Sequence, residues 1–231
     1  MRRVVLLGLV CAGWFCAGAA WARMPVVVEL FTAQGCSSCG KANAFVAKIA
    51  DRPGVLALTW PMDYWDYLGW KDTFAKPEFT DRQRAIDRRL GLRDVYTPQV
   101  IVDGAAQASG DKAEAVEALI RAARRAGPAP PQMKMRADGK VAVGSGRRPP
   151  GGGEVWLIRF DPREQDVEVK QGDNRGKTVT HRNVVRQIAR LGAWSGRPVV
   201  LKAPAPTEDG LSSLILVQAA RGGRILGVLD A

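Results

Sequence analysis

The sequence predicts an α/β fold in its first half and a smaller β-rich unit in its second. Three observations predict it. Residues 26–31, Val-Val-Val-Glu-Leu-Phe, form an apolar, β-branched run, and a Gly-containing loop and a helical-period stretch follow it. Strand-like and helix-like segments then alternate to about Ala126. Beyond a Gly-Pro-Ala-Pro-Pro break at 127–131, short apolar runs recur with turn residues between them, the pattern of an antiparallel sandwich.

Before the first strand stands a leader. Arg2-Arg3 supplies charge, Val4 to Cys16 is almost wholly apolar, and Ala20-Trp21-Ala22 has the small-x-small form of a cleavage site. The apolar run is short for a membrane span. Residues 1–22 are therefore expected to be a signal peptide cleaved after Ala22; the alternative is an uncleaved membrane anchor. The mature chain, 23–231, would be periplasmic or secreted, with no membrane span.

The first strand, 25–31, leads to a helix over about 37–50, whose apolar positions are Ala42, Phe45, Val46, Ile49 and Ala50. Val55–Trp60 is a second buried strand, expected parallel to the first through a right-handed crossover. Residues 60–70 hold five aromatics, too polar for a core strand and without helical period. They are expected either to cap the domain or to line a groove beside the cysteines, with Trp65 as a substrate contact. A helix is expected from Thr80 to Gly91, exposing Arg82, Arg84, Asp87, Arg88 and Arg89. Pro98 opens a strand that ends in the hairpin signal Asp103-Gly104, and 105–109 return. Asp111 and Glu114 suit the start of a helix reaching about Ala126. This completes βαβ-α-ββα over residues 23–127.

Residues 128–231 form the β-rich part. A hairpin is expected around Asp138-Gly139, with further strands at 155–160, 167–170, 178–181, 199–202, 214–218 and 225–229. Residues 183–194 fit either a helix or a strand, and the alternation of Val184, Arg186, Ile188 and Arg190 favours a strand.

The formal net charge is +11, concentrated in the second half. That half suits an acidic partner, an anionic lipid or a cell-wall polymer; the alternative is a solvated arginine-rich surface. No basic run interleaves with aromatics, which argues against a nucleic-acid groove. No nucleotide, flavin or phosphate motif occurs, so no organic cofactor is implied.

Four cysteines are present, and Cys11 and Cys16 would leave with the leader. The remaining pair, Cys36-Ser37-Ser38-Cys39, stands where a strand feeds a helix N-terminus. Unpaired N–H groups and the positive end of the helix dipole stabilise a thiolate there, the reactive form of cysteine. C-x-x-C on a βα unit reads as a thioredoxin-like redox motif. A mature chain of this size needs no disulfide staple, which favours a chemical role. A structural disulfide and a metal-binding pair are the alternatives. Cys36 is expected to be the exposed attacking thiol and Cys39 the resolving one. Similarity to thioredoxin-like proteins implies that Glu29, on the preceding strand, is a buried proton carrier for the resolving thiol; the alternative is a strand-end carboxylate paired with a nearby base. His181 is the single histidine. It is read as a surface or strand residue, and no metal site is expected.

Residues 26–39, 63–72 (Asp-Tyr-Trp-Asp-Tyr-Leu-Gly-Trp-Lys-Asp) and 95–104 (Val-Tyr-Thr-Pro-Gln-Val-Ile-Val-Asp-Gly) resemble the DUF1223 family of secreted thioredoxin-like proteins. So do 181–196 and 222–227. The resemblance implies a thioredoxin-like fold followed by a β-rich domain. It also implies that Pro98 is cis and faces the disulfide, with Thr97 and Pro98 holding the substrate backbone. Gly40 departs from the pattern, standing where a proline is usual. The expected activity is thiol–disulfide oxidoreduction on protein or small-molecule disulfides. Alternatives are a non-catalytic binding module on the same fold and a copper chaperone.

Overall fold

The computed structural model describes residues 24–124 and 129–231. The expected leader, and Gly127 and Pro128 of the break at 127–131, fall outside the described residues. β1 (Val26–Thr32) is buried along its whole length. It pairs in parallel with β2 (Val55–Pro61), and α1 (Cys39–Ile49) makes the crossover. Both faces of β1 are covered, which explains its continuous apolar run. Val26, Val28 and Leu30 meet Ala42, Val46 and Ile49 of α1 and Val116 and Ile120 of α3 (Ala113–Ala123). Val27 and Phe31 face the other way, toward Phe79 and Ile86 of α2 (Pro77–Leu90).

β3 (Gln99–Val102) lies antiparallel to β1 and forms a hairpin with β4 (Ala106–Ser109). Asp103 and Gly104 take φ of 50° and 62°, the left-handed pair that a tight hairpin turn requires.

The second half contributes β5 (Met133–Met135), β6 (Lys140–Val143), β7 (Gly153–Asp161), β8 (Gln165–Glu168) and β9 (Thr178–His181). β10 (Val184–Trp194), β11 (Val199–Lys202), β12 (Ser212–Ala219) and β13 (Ile225–Asp230) follow. Residues 184–194 are a strand, as their alternation suggests.

A separate sandwich does not form. β10 pairs in parallel with β2 through Val184 and Thr59, which joins the halves into one eight-stranded sheet. Its order is β13-β12-β7-β10-β2-β1-β3-β4. The molecule is thus a mixed α/β fold with a large central sheet and few helices. A sandwich-like layer exists only locally. There the three-stranded sheet β11-β6-β5 covers Val155, Leu157, Ile215 and Val217 with Val141, Val143 and Trp194 between. β8 and β9 form a third, two-stranded sheet beside α1.

Close approaches lock the halves together. The amide of Ile225 donates to the carbonyl of Asp103, and Gly104 lies against the carbonyl of Gly223. Gly222, at φ 74°, abuts the α2 backbone, where an added Cβ would stand 2.6 Å from the carbonyl carbon of Ala85. None of these contacts has a periodicity that sequence reading detects.

Four expectations change. α2 starts at Pro77, three residues before Thr80, because proline suits the first helical position. The Thr80 hydroxyl instead hydrogen-bonds Asp63 Oδ1 at 2.5 Å. Arg82 and Asp87 of α2 are buried, not solvated. β2 extends through Trp60 and Pro61, and Trp60 is fully buried between Phe31 and Phe79. Finally, Asp111 does not cap α3; it accepts a hydrogen bond from the Ser109 hydroxyl.

Candidate active site

β1 ends in a tight turn that closes with Cys36 N–H donating to Ala33 O at 3.1 Å. Cys39 is the first residue of α1, and Cys36 and Cys39 are joined in a disulfide. The first turn of α1 has no acidic residue, and Ser38 makes no side-chain cap. The positive helix end therefore remains free to act on the sulfurs.

Cys36 is not exposed. Both cysteines are 1% accessible and belong to the apolar cluster with Phe31, Trp60 and Met62. The cause is a cover built from two distant segments that converge on Gln34. Asp72 Oδ2 accepts the Gln34 N–H at 2.7 Å, and Asp72 Oδ1 accepts that of Phe74 at 3.0 Å. The Gln34 side chain donates to Thr73 Oγ1 at 2.8 Å and accepts from Trp70 Nε1 at 2.9 Å. From the second half, Asn174 Nδ2 donates to the carbonyls of Gln34 (2.8 Å) and Cys36 (3.0 Å).

Trp65 and Thr97 meet beside this loop. Trp65 Nε1 donates to Thr97 Oγ1 at 2.7 Å, and the position of a Cβ on Gly35 lies 3.6 Å from Trp65 Cβ. The Thr97–Pro98 peptide is cis. Gly110 separates Pro98 from Ala42 of α1; an added Cβ would meet both within 3.1 Å. Tyr64 and Gln83 brace this corner: the tyrosine hydroxyl donates to Gln83 Oε1, and Gln83 Nε2 donates to the Tyr96 carbonyl. Tyr67 stacks on Trp65 at 6.4 Å and is 78% exposed, so an aromatic shelf adjoins the cysteine loop.

Glu29 lies in the middle of β1 and is paired with a base. It is fully buried and accepts a hydrogen bond from Arg82 Nε at 2.7 Å; Arg82 Nη1 continues to Gln218 Oε1 on β12. The guanidinium also lies 4.9 Å from the Trp60 ring. The carboxylate that holds the cysteine loop is Asp72. Burial raises its pKa to about 6, against the lowering effect of the backbone N–H groups of Gln34, Phe74 and Ala75.

His181 is buried rather than on the surface, edge-on to Phe74, with both ring nitrogens unpartnered. Burial lowers its pKa to about 4. Among the described residues, no group of three His, Cys, Asp or Glu side chains is placed to hold a metal ion. No helix among them is long and apolar enough to cross a membrane.

A family model described as a protein of unknown function, DUF1223, matches residues 27–218. The chain belongs to the DUF1223 family. A search of curated proteins finds no match. This DUF1223 chain is similar to a crystal structure of protein AGR_C_4864 from Agrobacterium tumefaciens. The two are 31% identical, with a TM-score of 0.72, over 90% of this chain and 94% of that one. It also shares its fold with HBP35 of Porphyromonas gingivalis, at 13% identity and a TM-score of 0.53, over 90% of this chain and 74% of that one.

Sequence reasoning missed Gln34, Asp72, Asn174 and Tyr67. Gln34, Tyr67 and Asp72 lie within motifs already singled out, so their neighbourhood was visible though their partners were not. Asn174 sits in a Gly-rich turn of the second half, 138 residues from Cys36, and carries no local signal.

Proposed function

We propose that this chain is an exported thiol–disulfide oxidoreductase built on a thioredoxin-like fold. The observation that carries the reading is the Cys36–Cys39 pair, closed as a disulfide where β1 runs into the uncapped N-terminus of α1. Trp65, Thr97 and Pro98, gathered beside that loop, are suited to hold a substrate backbone.

In the reducing direction the Cys36 thiolate attacks one sulfur of a substrate disulfide. The substrate S–S bond breaks, and one substrate sulfur leaves as a thiolate and takes up a proton. Cys39 then loses its proton and attacks the Cys36 sulfur of the mixed disulfide. The second substrate thiol is released, Cys36–Cys39 re-forms, and two electrons have passed to the substrate. In the oxidising direction the same steps run in reverse. Ser37-Ser38 brings no charge to tune the thiolate, so working couples of either kind, spanning about −270 to −120 mV, are accessible.

The test is the redox equilibrium of the chain in glutathione buffers, followed by thiol trapping, together with turnover on a disulfide substrate. A potential above about −300 mV and loss of turnover in Cys36→Ser support the reading. A pair that stays oxidised far below that potential refutes it. A second reading, a non-catalytic binding module, is favoured by Tyr67, the exposed aromatic stacked on Trp65. It requires partner binding that survives Cys36→Ser.

A further inference from the structure

We propose that the turn at residues 170–177 is a gate over the Cys36–Cys39 disulfide, that Asn174 is its latch, and that the latched site excludes folded protein partners while admitting small thiols. This rests on the proposed thiol–disulfide exchange and adds the substrate class that the closed site selects.

A surface turn is bonded to the backbone of the loop that carries the disulfide. Gln171, Asp173, Arg175, Gly176 and Lys177 are exposed, whereas Asn174 between them is 5% accessible and reaches inward. Its amide nitrogen has two hydrogens, and each has an acceptor, the carbonyls of Gln34 and Cys36. Lys177 Nζ donates to Asn174 Oδ1 at 3.2 Å, which orients the amide. Outside this latch the turn is closed on itself. Arg175 N–H donates to Gly172 O, Lys177 N–H to Asn174 O, and Gly176 N–H to the carbonyl of buried Val169.

The gate also touches the aromatic segment. Gly172 lies against Leu68, and Gln171 Oε1 against Gly69. Releasing Asn174 therefore loosens the contact between the turn and the Trp65–Tyr67 shelf, the surface on which a polypeptide would lie. A hinged turn of few residues can open locally without global unfolding, at a free energy set by the bonds it breaks. A small thiol needs only a brief, narrow opening. A protein dithiol must displace the whole turn.

The test measures the rate at which the oxidised full chain is reduced by dithiothreitol and, separately, by a small reduced dithiol protein. In each case the probe becomes a disulfide and Cys36 and Cys39 become thiols. Asn174→Asp keeps the shape but removes both donors, Asn174→Ala removes the side chain, and Asn174→Ser keeps one donor. Loss of two hydrogen bonds raises the open population by about tenfold or more. The expected result is acceleration of that size in the Asp and Ala variants, larger for the protein probe than for dithiothreitol. Asn174→Ser falls between these variants and the wild type. If Asn174→Asp does not fold, Ala and Ser carry the comparison.

Unchanged rates in the folded variants overturn the gate. So does a wild-type chain reduced as fast by the protein as by dithiothreitol. Failure of the underlying activity reads out differently: the gate variants would still change the reduction rates, but no variant would turn over a disulfide substrate.

Discussion

Two buried groups should give the stability of this protein opposite pH dependences, and Asp72→Asn separates them. Burial raises the Asp72 pKa from 3.8 to about 6, with Asp66 adding to the shift. The folded state then holds the proton more tightly than the unfolded state does. The stabilisation is present below about pH 4 and is lost as the pH rises through 6. A shift of roughly two units corresponds to about 3 kcal/mol. Burial lowers His181 from 6.5 to about 4, so the folded state prefers the neutral ring. Its stabilisation is present above about pH 6.5 and is lost as the pH falls through 4, again by about 3 kcal/mol. In the wild type the two slopes largely cancel over this window. Asp72→Asn removes one of them. Relative to wild type, the variant should gain about 3 kcal/mol of stability between pH 4 and pH 7. Urea unfolding at pH 4, 5, 6 and 7 measures this, and the difference between the two proteins removes other titrating groups such as Asp87 and Asp103. His181→Leu should show the opposite difference. A wild-type-minus-variant difference that does not vary with pH refutes the reasoning.

Other expectations concern the packing that carries the site. Arg82→Ala leaves the Glu29 carboxyl without its partner in the core and should cost about 3–5 kcal/mol in chemical denaturation, with much of that recovered in the double variant Glu29→Gln/Arg82→Met. Gly222→Ala forces a Cβ to within 2.6 Å of the α2 backbone at a positive φ. It should lower Tm by several degrees, measured by calorimetry, whereas a Tm equal to wild type would mean that the two halves are not locked at this turn. Gly40→Ala adds a Cβ that meets nothing within 4 Å on the first turn of α1, and should stabilise by about 0.5–1 kcal/mol in the same denaturation assay.

Local chemistry alone made much of the first half legible. The apolar run at 26–31, the crossover to Val55–Trp60, the Asp103-Gly104 turn and the Cys36–Cys39 pair each depend on residues close in the chain. Periodicity and turn preference report such features directly. The same holds for β10, whose alternation favoured a strand. The helix that begins at Pro77 was misplaced because Thr80 resembles a cap, yet its hydroxyl serves Asp63 instead.

What tertiary structure alone decided is where distant segments meet. The sequence by itself determined that a C-x-x-C pair would stand at a helix N-terminus, but not that it would be covered. A burial pattern shows that a strand has two apolar faces; it does not name the partners. So β10 could join β2, the sheet could continue through both halves, and Arg82 could reach Glu29 without any mark in the local pattern. Asp72 and Asn174 act on the cysteine loop through hydrogen bonds to backbone groups, and nearly every residue type offers those groups alike, proline lacking the N–H. Such contacts are specified by position in space, so only the folded chain shows that the disulfide is closed off, and by which side chains.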